Sequence, residues 1–303
     1  MTENIYDLVI VGGGVSGLTA AIYSARYKLK TIVFTDSFGG TTGSAHKICN
    51  YPGFKEISGM DLMLNLTNQV KSLDVDINFE KIIDIFKKDD FFIINTDVKT
   101  VKSKKVLLAI GKKKRHLGIE NEDKFLGNGI HYCATCDGSF YKDKVVGVIG
   151  GSDAAVTSAL LLSDIARKVY LIYRKDKLKA EPMWIESLNS HKNIAVIYNT
   201  EIVNLIGEDK LKQVKLNNGD LLDLDGLFIE IGSIPNTELI DKLSLNMNDS
   251  GEIIVDKEQR TNIFGIFASG DATNITELKQ IVTAISQGAI AAYFVYKDIK
   301  SNK

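Results

Sequence analysis

Two stretches of the chain repeat the same succession of apolar runs, glycines and helical periodicity. The first has an apolar run at residues 8–11, three glycines at residues 12–14, and apolar positions spaced as on one helix face from Leu18. A second apolar run follows at residues 31–34. This pattern predicts a strand, a glycine turn, a helix and a strand, the succession found in dinucleotide-binding βαβ units.

The same succession recurs further along the chain. An apolar run at residues 145–149 leads into Gly150 and Gly151, a helix is predicted from about Asp153, and a second strand is predicted at residues 168–173. The recurrence indicates an internal duplication of one nucleotide-binding fold.

Each copy is followed by an apolar segment that closes on a glycine. These segments read "KKVLLAIG", ending at Gly111, and "DGLFIEIG", ending at Gly232. No low-complexity linker separates the copies, so we expect the domain boundaries near residues 111–116 and 232–236.

The tail of the chain does not start a third copy. A strand predicted at residues 265–268 runs into Gly270 and Asp271, and a helix follows in "QIVTAISQGAIAAYFVYKDI". A strand that ends in Gly-Asp before a helix suits binding near a cofactor's phosphates. We therefore predict an α/β fold of two Rossmann-like domains, the second inserted into the first: residues 1–113 with 237–303, and residues 114–236.

The first turn carries the residues expected for an adenine dinucleotide without an additional phosphate. Gly12, Gly14 and Gly17 occupy the positions of a GxGxxG motif. Asp36 stands at the end of the second strand, where an acidic side chain binds free ribose hydroxyls. This arrangement favours FAD or NAD.

The second turn carries positive charge at the matching place. Arg174 stands as far after its turn as Asp36 does, and Lys175 and Lys179 follow closely. Such a cluster suits the 2′-phosphate of NADP; the alternative is an ordinary solvated strand end. Ser152 fills the middle position of the turn, where glycine admits the pyrophosphate, and Ala155 is an accepted variant at the last position.

The composition is that of an ordinary globular protein. The 303 residues are 45% hydrophobic and 25% charged, and 37 Lys and Arg balance 38 Asp and Glu. This balance argues against a protein that coats nucleic acid or binds membranes through a polybasic surface. No apolar run approaches the ~18–20 residues that span a bilayer, and no signal peptide is visible at the start. We expect a soluble, cytoplasmic protein.

Two of the three cysteines stand in the segment "HYCATCDGSF". Cys133 and Cys136 form a CxxC pair followed by Asp137, whereas Cys49 stands alone and is expected to be buried. A zinc site would need further ligands; only His131 stands close, in a His-x-Cys-x-x-Cys arrangement. A structural disulfide is unusual in a reducing compartment, so a reversible disulfide is favoured, with Asp137 placed to exchange a proton.

With these motifs in view, nearly the whole chain resembles the low-molecular-weight thioredoxin reductases. The resemblance rests on "VGGGVSGLTAA", "FGGTTG", "NYPGF", "CATCDG", "YRKDKLKAEP" and "FASGDATN", in the family's order and spacing. It implies two three-layer domains, with FAD in the first and a nicotinamide nucleotide in the inserted second. The residues implied to contact FAD are Gly12, Gly14, Gly17, Asp36, Gly40, Thr41, Asn50, Asp271 and Ala272, and those for the nicotinamide nucleotide are Gly150, Ser152, Ala155, Arg174, Lys175 and Lys179.

The resemblance also implies roles at the cysteine pair. Cys136 would face the flavin, Cys133 would attack the disulfide of a thioredoxin-like protein, and Asp137 would act as acid and base. Because the pair lies on the nicotinamide domain, the family's mechanism implies rotation of one domain about the crossings near Gly111 and Gly232. A homodimer is the family's usual assembly.

The donor side departs from the family pattern. The family's run of one histidine and three arginines is replaced by Tyr173, Arg174, Lys175 and Lys179, and Thr41 stands where a glutamine is common beside the flavin. We expect NADPH as the donor, with NADH, ferredoxin or a deazaflavin as alternatives, or a dithiol oxidase that passes electrons to oxygen. A flavoprotein that only senses the thiol state is the remaining non-enzymatic hypothesis.

Overall fold

The computed structural model describes residues 5–235 and 243–301, which form two compact units. The first unit contains the chain up to Gly43, Ile48–Lys113 and the chain from Ile234 onwards; the second contains Ser44–Lys47 and Lys114–Ser233. Asn236, the end of the expected second boundary, lies outside the described residues.

In the described residues, helices separate the strands of the two predicted repeats, whereas residues 76–114 and 194–229 contain strands only. The strands are β1 Ile5–Val11, β2 Thr31–Thr35, β3 Asp76–Phe79, β4 Ile82–Lys88, β5 Phe91–Thr96, β6 Thr100–Leu108, β7 Lys112–Lys114, β8 Ile130–His131, β9 Val145–Ile149, β10 Lys168–Ile172, β11 Ile194–Ile197, β12 Ile202–Gly207, β13 Leu211–Leu216, β14 Leu221–Asp223, β15 Gly226–Ile229, β16 Ser233–Pro235 and β17 Ile266–Ala268. The helices are α1 Val15–Arg26, α2 Gly40–Gly43, α3 Gly59–Lys71, α4 Glu122–Phe125, α5 Ala134–Asp137, α6 Asp153–Ser163, α7 Pro182–Ser190 and α8 Ile281–Ser301.

The first unit is built on a sheet in the order β3-β2-β1-β6-β5-β4, with β17 paired in parallel to β6. Strands β3, β2, β1 and β6 are parallel neighbours, and β5 and β4 extend the sheet in antiparallel fashion. Helices α1 and α8 pack closely because Gly288 has no side chain. A Cβ at this position would lie only 2.2 Å from the Ser16 carbonyl oxygen. The small residues of the tail helix therefore bring the chain's end against its first helix.

The second unit repeats this plan on a parallel sheet in the order β11-β10-β9-β15-β8, accompanied by the antiparallel sheet β12-β13-β14. Helix α6 packs Ala155, Val156 and Ala159 onto the sheet at full burial. The two connecting strands, β7 and β16, pair with each other.

The predicted fold class is confirmed: the fold is α/β with two Rossmann-like domains, the second inserted into the first. Strand β9 and the start of α6 lie at the predicted residues. Strand β10 ends at Ile172, one residue earlier than predicted. Among the described residues, no helix combines the length and the apolar character needed to cross a membrane.

Candidate active site

The CxxC segment forms a short helix with its two cysteines joined as a disulfide. Cys133 is the N-cap of α5, and its Sγ accepts a hydrogen bond from the Cys136 backbone N–H at 3.1 Å. Cys136 is exposed and Cys133 is partly buried. Cys49 is free but only partly buried, where we expected a buried cysteine. The segment thus presents a closed disulfide with one sulfur more accessible than the other.

Asp137 ends the same helix and is joined to a buried histidine. The His131 Nδ1 lies 2.9 Å from the Asp137 Oδ2, and the His131 Nε2 lies 2.6 Å from the Tyr141 hydroxyl. His131 and Tyr141 are buried, whereas a third of the Asp137 side chain is exposed. Both ring nitrogens are occupied by these partners, so the zinc clip considered from the sequence lacks its nitrogen ligand.

An aromatic cage fixes the histidine ring. Phe228, paired with His131 across β15 and β8, stacks on the imidazole at 5.2 Å between ring centres, and Tyr141 meets it edge-on at 5.3 Å. Burial, together with the charges of Asp137 and Asp225, raises the pKa of Tyr141 to about 12. The tyrosine therefore stays a phenol, and its hydroxyl donates to the Nε2 in one tautomer of His131 and accepts from it in the other.

The first glycine turn leaves an open space at its middle glycine. A Cβ at Gly12 would lie 2.3 Å from the Ala109 carbonyl oxygen, and one at Gly17 would lie 2.0 Å from the Gly12 carbonyl oxygen. At Gly14, the N-cap of α1, a Cβ would meet nothing within 4 Å. The outer glycines serve close packing, and the middle one faces space that a bound phosphate can occupy.

The other residues expected at the flavin site gather in the same unit. A cavity of about 450 Å³ is lined by Gly12, Thr35 and Asp36. Gly40 lies against Gly14, with 3.6 Å between the Cβ that it would carry and the Gly14 Cα. Burial raises the pKa of Asp271, although nearby lysines oppose the shift. The buried Ala272 follows in the same turn.

Thr41 and Asn50 connect this group to a charged cluster that sequence reasoning missed. The Thr41 hydroxyl approaches the Lys112 carbonyl oxygen at 3.4 Å, and the Asn50 amide donates to the Gln280 Oε1 at 3.2 Å. The cluster consists of Glu252 between two ammonium groups, at 3.0 Å from Lys112 Nζ and 3.1 Å from Lys279 Nζ. Its members come from three distant segments, so no local pattern announced it.

The second glycine turn is more crowded than the first. A Cβ at Gly150 would lie 2.2 Å from the Glu230 carbonyl oxygen, and one at Gly151 would lie 2.5 Å from the Tyr173 ring. Ser152 is the exposed N-cap of α6 and makes no side-chain capping bond. Ala155 is fully buried under the turn.

The basic residues expected at the nicotinamide site follow β10 on the surface. Arg174, Lys175 and Lys179 are all exposed. The Lys179 backbone N–H donates to the Gly151 carbonyl oxygen at 2.6 Å, which holds this segment against the turn. The structure therefore places all three on the segment that borders the second turn.

A buried carboxylate lies behind the second turn and was not identified from the sequence. Glu230, directly after β15, is 7% exposed; its Oε2 binds the Lys114 ammonium and its Oε1 accepts from the Ser158 hydroxyl at 3.3 Å. Burial raises the pKa of Glu230, although Lys114 and Ser158 oppose the shift. The only sequence signal was the acid in "FIEIG", where the first copy has alanine in "LLAIG".

Comparison with known proteins was made on the whole chain. The profile of the family described as pyridine nucleotide-disulphide oxidoreductase matches residues 6–288. A thioredoxin reductase from Mycoplasma genitalium is 39% identical over 302 residues, which cover 97% of this chain and 96% of that protein.

Two solved structures are relevant to the site. The thioredoxin reductase of Lactococcus lactis superposes with a TM-score of 0.93 at 33% identity, covering 98% of this chain and 99% of the other. A ferredoxin-flavin thioredoxin reductase from Clostridium acetobutylicum gives a TM-score of 0.54 at 31% identity, covering 98% and 99%. Similarity therefore extends to a protein whose name includes ferredoxin.

Proposed function

Because the chain belongs to the pyridine nucleotide-disulphide oxidoreductases, and within them to the low-molecular-weight thioredoxin reductases, we propose that it reduces the disulfide of a thioredoxin-like protein. Electrons would pass from NADPH through FAD to the Cys133–Cys136 disulfide and then to the partner. The observation that carries this proposal is the CxxC disulfide with Asp137 at the end of the same short helix.

FAD fits the first unit. The open space at Gly14, bordered by Gly40, suits the pyrophosphate, and Asp36 beside its cavity suits the adenosine ribose. Asp271 and Thr41 would contact the remainder of the cofactor. When bound, FAD would supply the two-electron step between the donor and the disulfide.

NADPH is the proposed donor because of the charge beside the second turn. Arg174 can form paired hydrogen bonds to a 2′-phosphate, and Lys175 and Lys179 add positive charge. Residues 114–236 would form the nicotinamide domain, and residues 1–113 with 237–303 the FAD domain.

Two observations favour a second candidate, the same disulfide chemistry with a donor other than a nicotinamide nucleotide, such as ferredoxin or a deazaflavin; NADH has the same pyrophosphate as NADPH and remains an alternative only to the 2′-phosphate assignment. Ser152 adds a side chain where the pyrophosphate would approach, and the carboxylate of Glu230 lies buried behind the turn. Both features disfavour an anionic nucleotide there. A dithiol oxidase would share the cysteine pair and differ only in passing electrons to oxygen.

The two cysteines would have different roles in the reaction. Cys136 would exchange electrons with the flavin, and Cys133 would attack the partner's disulfide, forming a mixed disulfide that Cys136 resolves. Asp137 would give a proton to the thiolate when the pair opens and take it back before attack. Domain rotation about β7 and β16 and a homodimer belong to the same proposal.

An anaerobic titration of the purified protein tests the donor. Bleaching of the flavin within a few equivalents of NADPH, and only slowly with NADH, is the expected result. Reduction by dithiothreitol without reduction by either nucleotide would instead favour the second candidate. A flavin that neither dithiothreitol nor a nucleotide reduces would contradict disulfide reductase activity altogether.

A further inference from the structure

We propose that His131 is a positioning residue for the Asp137 proton carrier, and that Tyr141 fixes the tautomer of His131 that does this. The inference rests on the proposed disulfide chemistry and adds two residues to it. Its basis is the continuous hydrogen-bonded chain from the CxxC helix into the core, Asp137 to His131 to Tyr141, at 2.9 and 2.6 Å.

The direction of the hydrogen bonds follows from the chemistry of each end. The Asp137 Oδ2 can only accept, so the hydrogen between it and His131 lies on Nδ1; with one ring hydrogen placed there, Nε2 accepts from the Tyr141 hydroxyl. That hydrogen is donated to the Asp137 Oδ2. The other carboxylate oxygen, Oδ1, is left to carry the proton that the thiol exchanges.

The location of the carboxylate supports this assignment. Asp137 follows Cys133 by four residues, one helical turn, and its backbone N–H donates to the Cys133 carbonyl oxygen at 3.1 Å. A third of the Asp137 side chain is exposed, so without His131 the carboxylate would sample several rotamers. His131 cannot do so, because the cage of Phe228 and Tyr141 holds its ring.

The proton balance of the step is closed. When two electrons enter the pair, the S–S bond breaks, and the proton on Asp137 Oδ1 moves to the Cys133 thiolate. The Cys136 sulfur stays a thiolate. When Cys133 later attacks the partner disulfide, Asp137 takes this proton back and passes it to the partner's first leaving thiolate. Cys136 then attacks the mixed disulfide and re-forms its bond to Cys133; the partner's second thiolate and the exposed Asp137 carboxylate each take up one proton from solvent. His131 keeps its Nδ1 hydrogen throughout and neither gains nor loses a proton.

Two matched substitutions separate the two faces of the ring. In His131→Asn, the amide nitrogen can take the place of Nδ1 and preserve the bond to Asp137. In His131→Gln, the amide reaches the place of Nε2, which preserves the contact with Tyr141 and loses the bond to Asp137. Similar melting temperatures for both variants would show that they differ in this bond rather than in folding.

The measurement is the rate at which dithiothreitol reduces the flavin, which needs neither a nicotinamide nucleotide nor a thioredoxin. We expect His131→Gln to slow it about tenfold, less than the ~10²–10⁴-fold contribution of the acid–base group itself, because Asp137 is still present; His131→Asn should stay within about threefold of wild type. The pH profile should change shape in His131→Gln alone. Apart from Asp137, the charged groups near the His131–Tyr141 pair are Asp225 and Lys144. The Lys144 ammonium lies over the Tyr141 ring.

The possible outcomes separate this inference from the proposed function. If the two histidine variants had equal rates and pH profiles while Asp137→Asn was slow, the positioning role of His131 would be overturned and the acid–base role of Asp137 would stand. A wild-type rate in Asp137→Asn would overturn both the acid–base role and this inference. The inference would be supported if dithiothreitol reduced the flavin slowly in His131→Gln, at a near-normal rate in His131→Asn and at an intermediate rate in Tyr141→Phe.

Discussion

The two glycine turns share a plan but differ in the space and charge around them. In both, a backbone carbonyl closes against the first glycine: that of Ala109 at Gly12 and that of Glu230 at Gly150. Ala109 carries only a methyl group, whereas Glu230 places a buried carboxylate behind its turn. The middle position is open at Gly14 and occupied by a hydroxymethyl group at Ser152.

This difference shows that a repeated backbone motif does not fix the strength of the site built on it. The helix N-terminus and the free N–H groups favour a pyrophosphate in both units. The additional side chain of Ser152 should reduce that preference in the second unit, as should the Glu230 carboxylate even with Lys114 as its partner; the exposed bases after β10 should restore part of it. We therefore expect tight flavin binding in the first unit and weaker nucleotide binding in the second.

The largest effect is expected at the CxxC pair of the second unit. Cys133→Ser should lower thioredoxin reduction by about a thousandfold or more, because the variant lacks the thiol that we propose attacks the partner, while the flavin remains reducible by the donor. Turnover with a purified thioredoxin and anaerobic flavin spectra measure the two properties. A near-normal turnover in this variant would contradict the dithiol mechanism itself, because Cys136 alone has no partner with which to form the disulfide that accepts the electron pair.

Gly14→Ser would give the first turn the side chain of the second. The protein has room for it, but the hydroxymethyl group would occupy the place of the pyrophosphate. We expect FAD affinity to fall on the order of a hundredfold, about 2.7 kcal/mol, with an unchanged melting temperature of the flavin-free protein. Gly17→Ala is the matched control: its Cβ would clash with the Gly12 carbonyl oxygen and should destabilise the fold itself.

Glu230→Gln would remove the buried charge from the second unit and make its turn more like the first. The affinity for NADPH should rise on the order of tenfold, because an anionic nucleotide would no longer face this carboxylate. Titration of the nucleotide by fluorescence or calorimetry measures it. Lys114→Met, which leaves the carboxylate without its cation, should change the affinity in the opposite direction.

Arg174→Ala tests the compensating charge of the second unit. The KM for NADPH should rise about fivefold and that for NADH should remain nearly constant, because only NADPH carries the 2′-phosphate. Steady-state kinetics with both nucleotides decide this. Equal changes in the two KM values would remove the 2′-phosphate assignment.

Ser152→Gly should have the smallest effect of the series. Restoring the glycine would allow the backbone closer to the pyrophosphate, and we expect about a threefold gain in NADPH affinity, less than 1 kcal/mol. Combined with Glu230→Gln, the gain should be close to the product of the two, unless Ser152 and Glu230 act on the same phosphate. An affinity unchanged by Ser152→Gly would show that the turn is not the limiting feature.

Much of the architecture could be read from local patterns. Glycine spacing and apolar periodicity predicted β9 and the start of α6 at their observed residues, and the tail helix within one residue at its start and two at its end. These features depend on interactions within a turn or a few residues, such as the close approach at Gly12 and Gly17. The CxxC pair and Asp137 were likewise visible because they are neighbours in the chain.

The sequence by itself determined the duplicated fold, the two glycine turns and the cysteine pair, since each is encoded by neighbouring residues. The tertiary structure decided what surrounds them. Glu230 meets Lys114 from a position 116 residues away, and Glu252 meets Lys112 across 140 residues. His131 is close to Asp137 in sequence, yet the orientation of its ring depends on the pairing of β8 with β15, which buries the ring against Phe228. Burial and contacts between distant residues determine the charge and orientation of these groups, and a local sequence pattern predicts neither the burial nor the contacts.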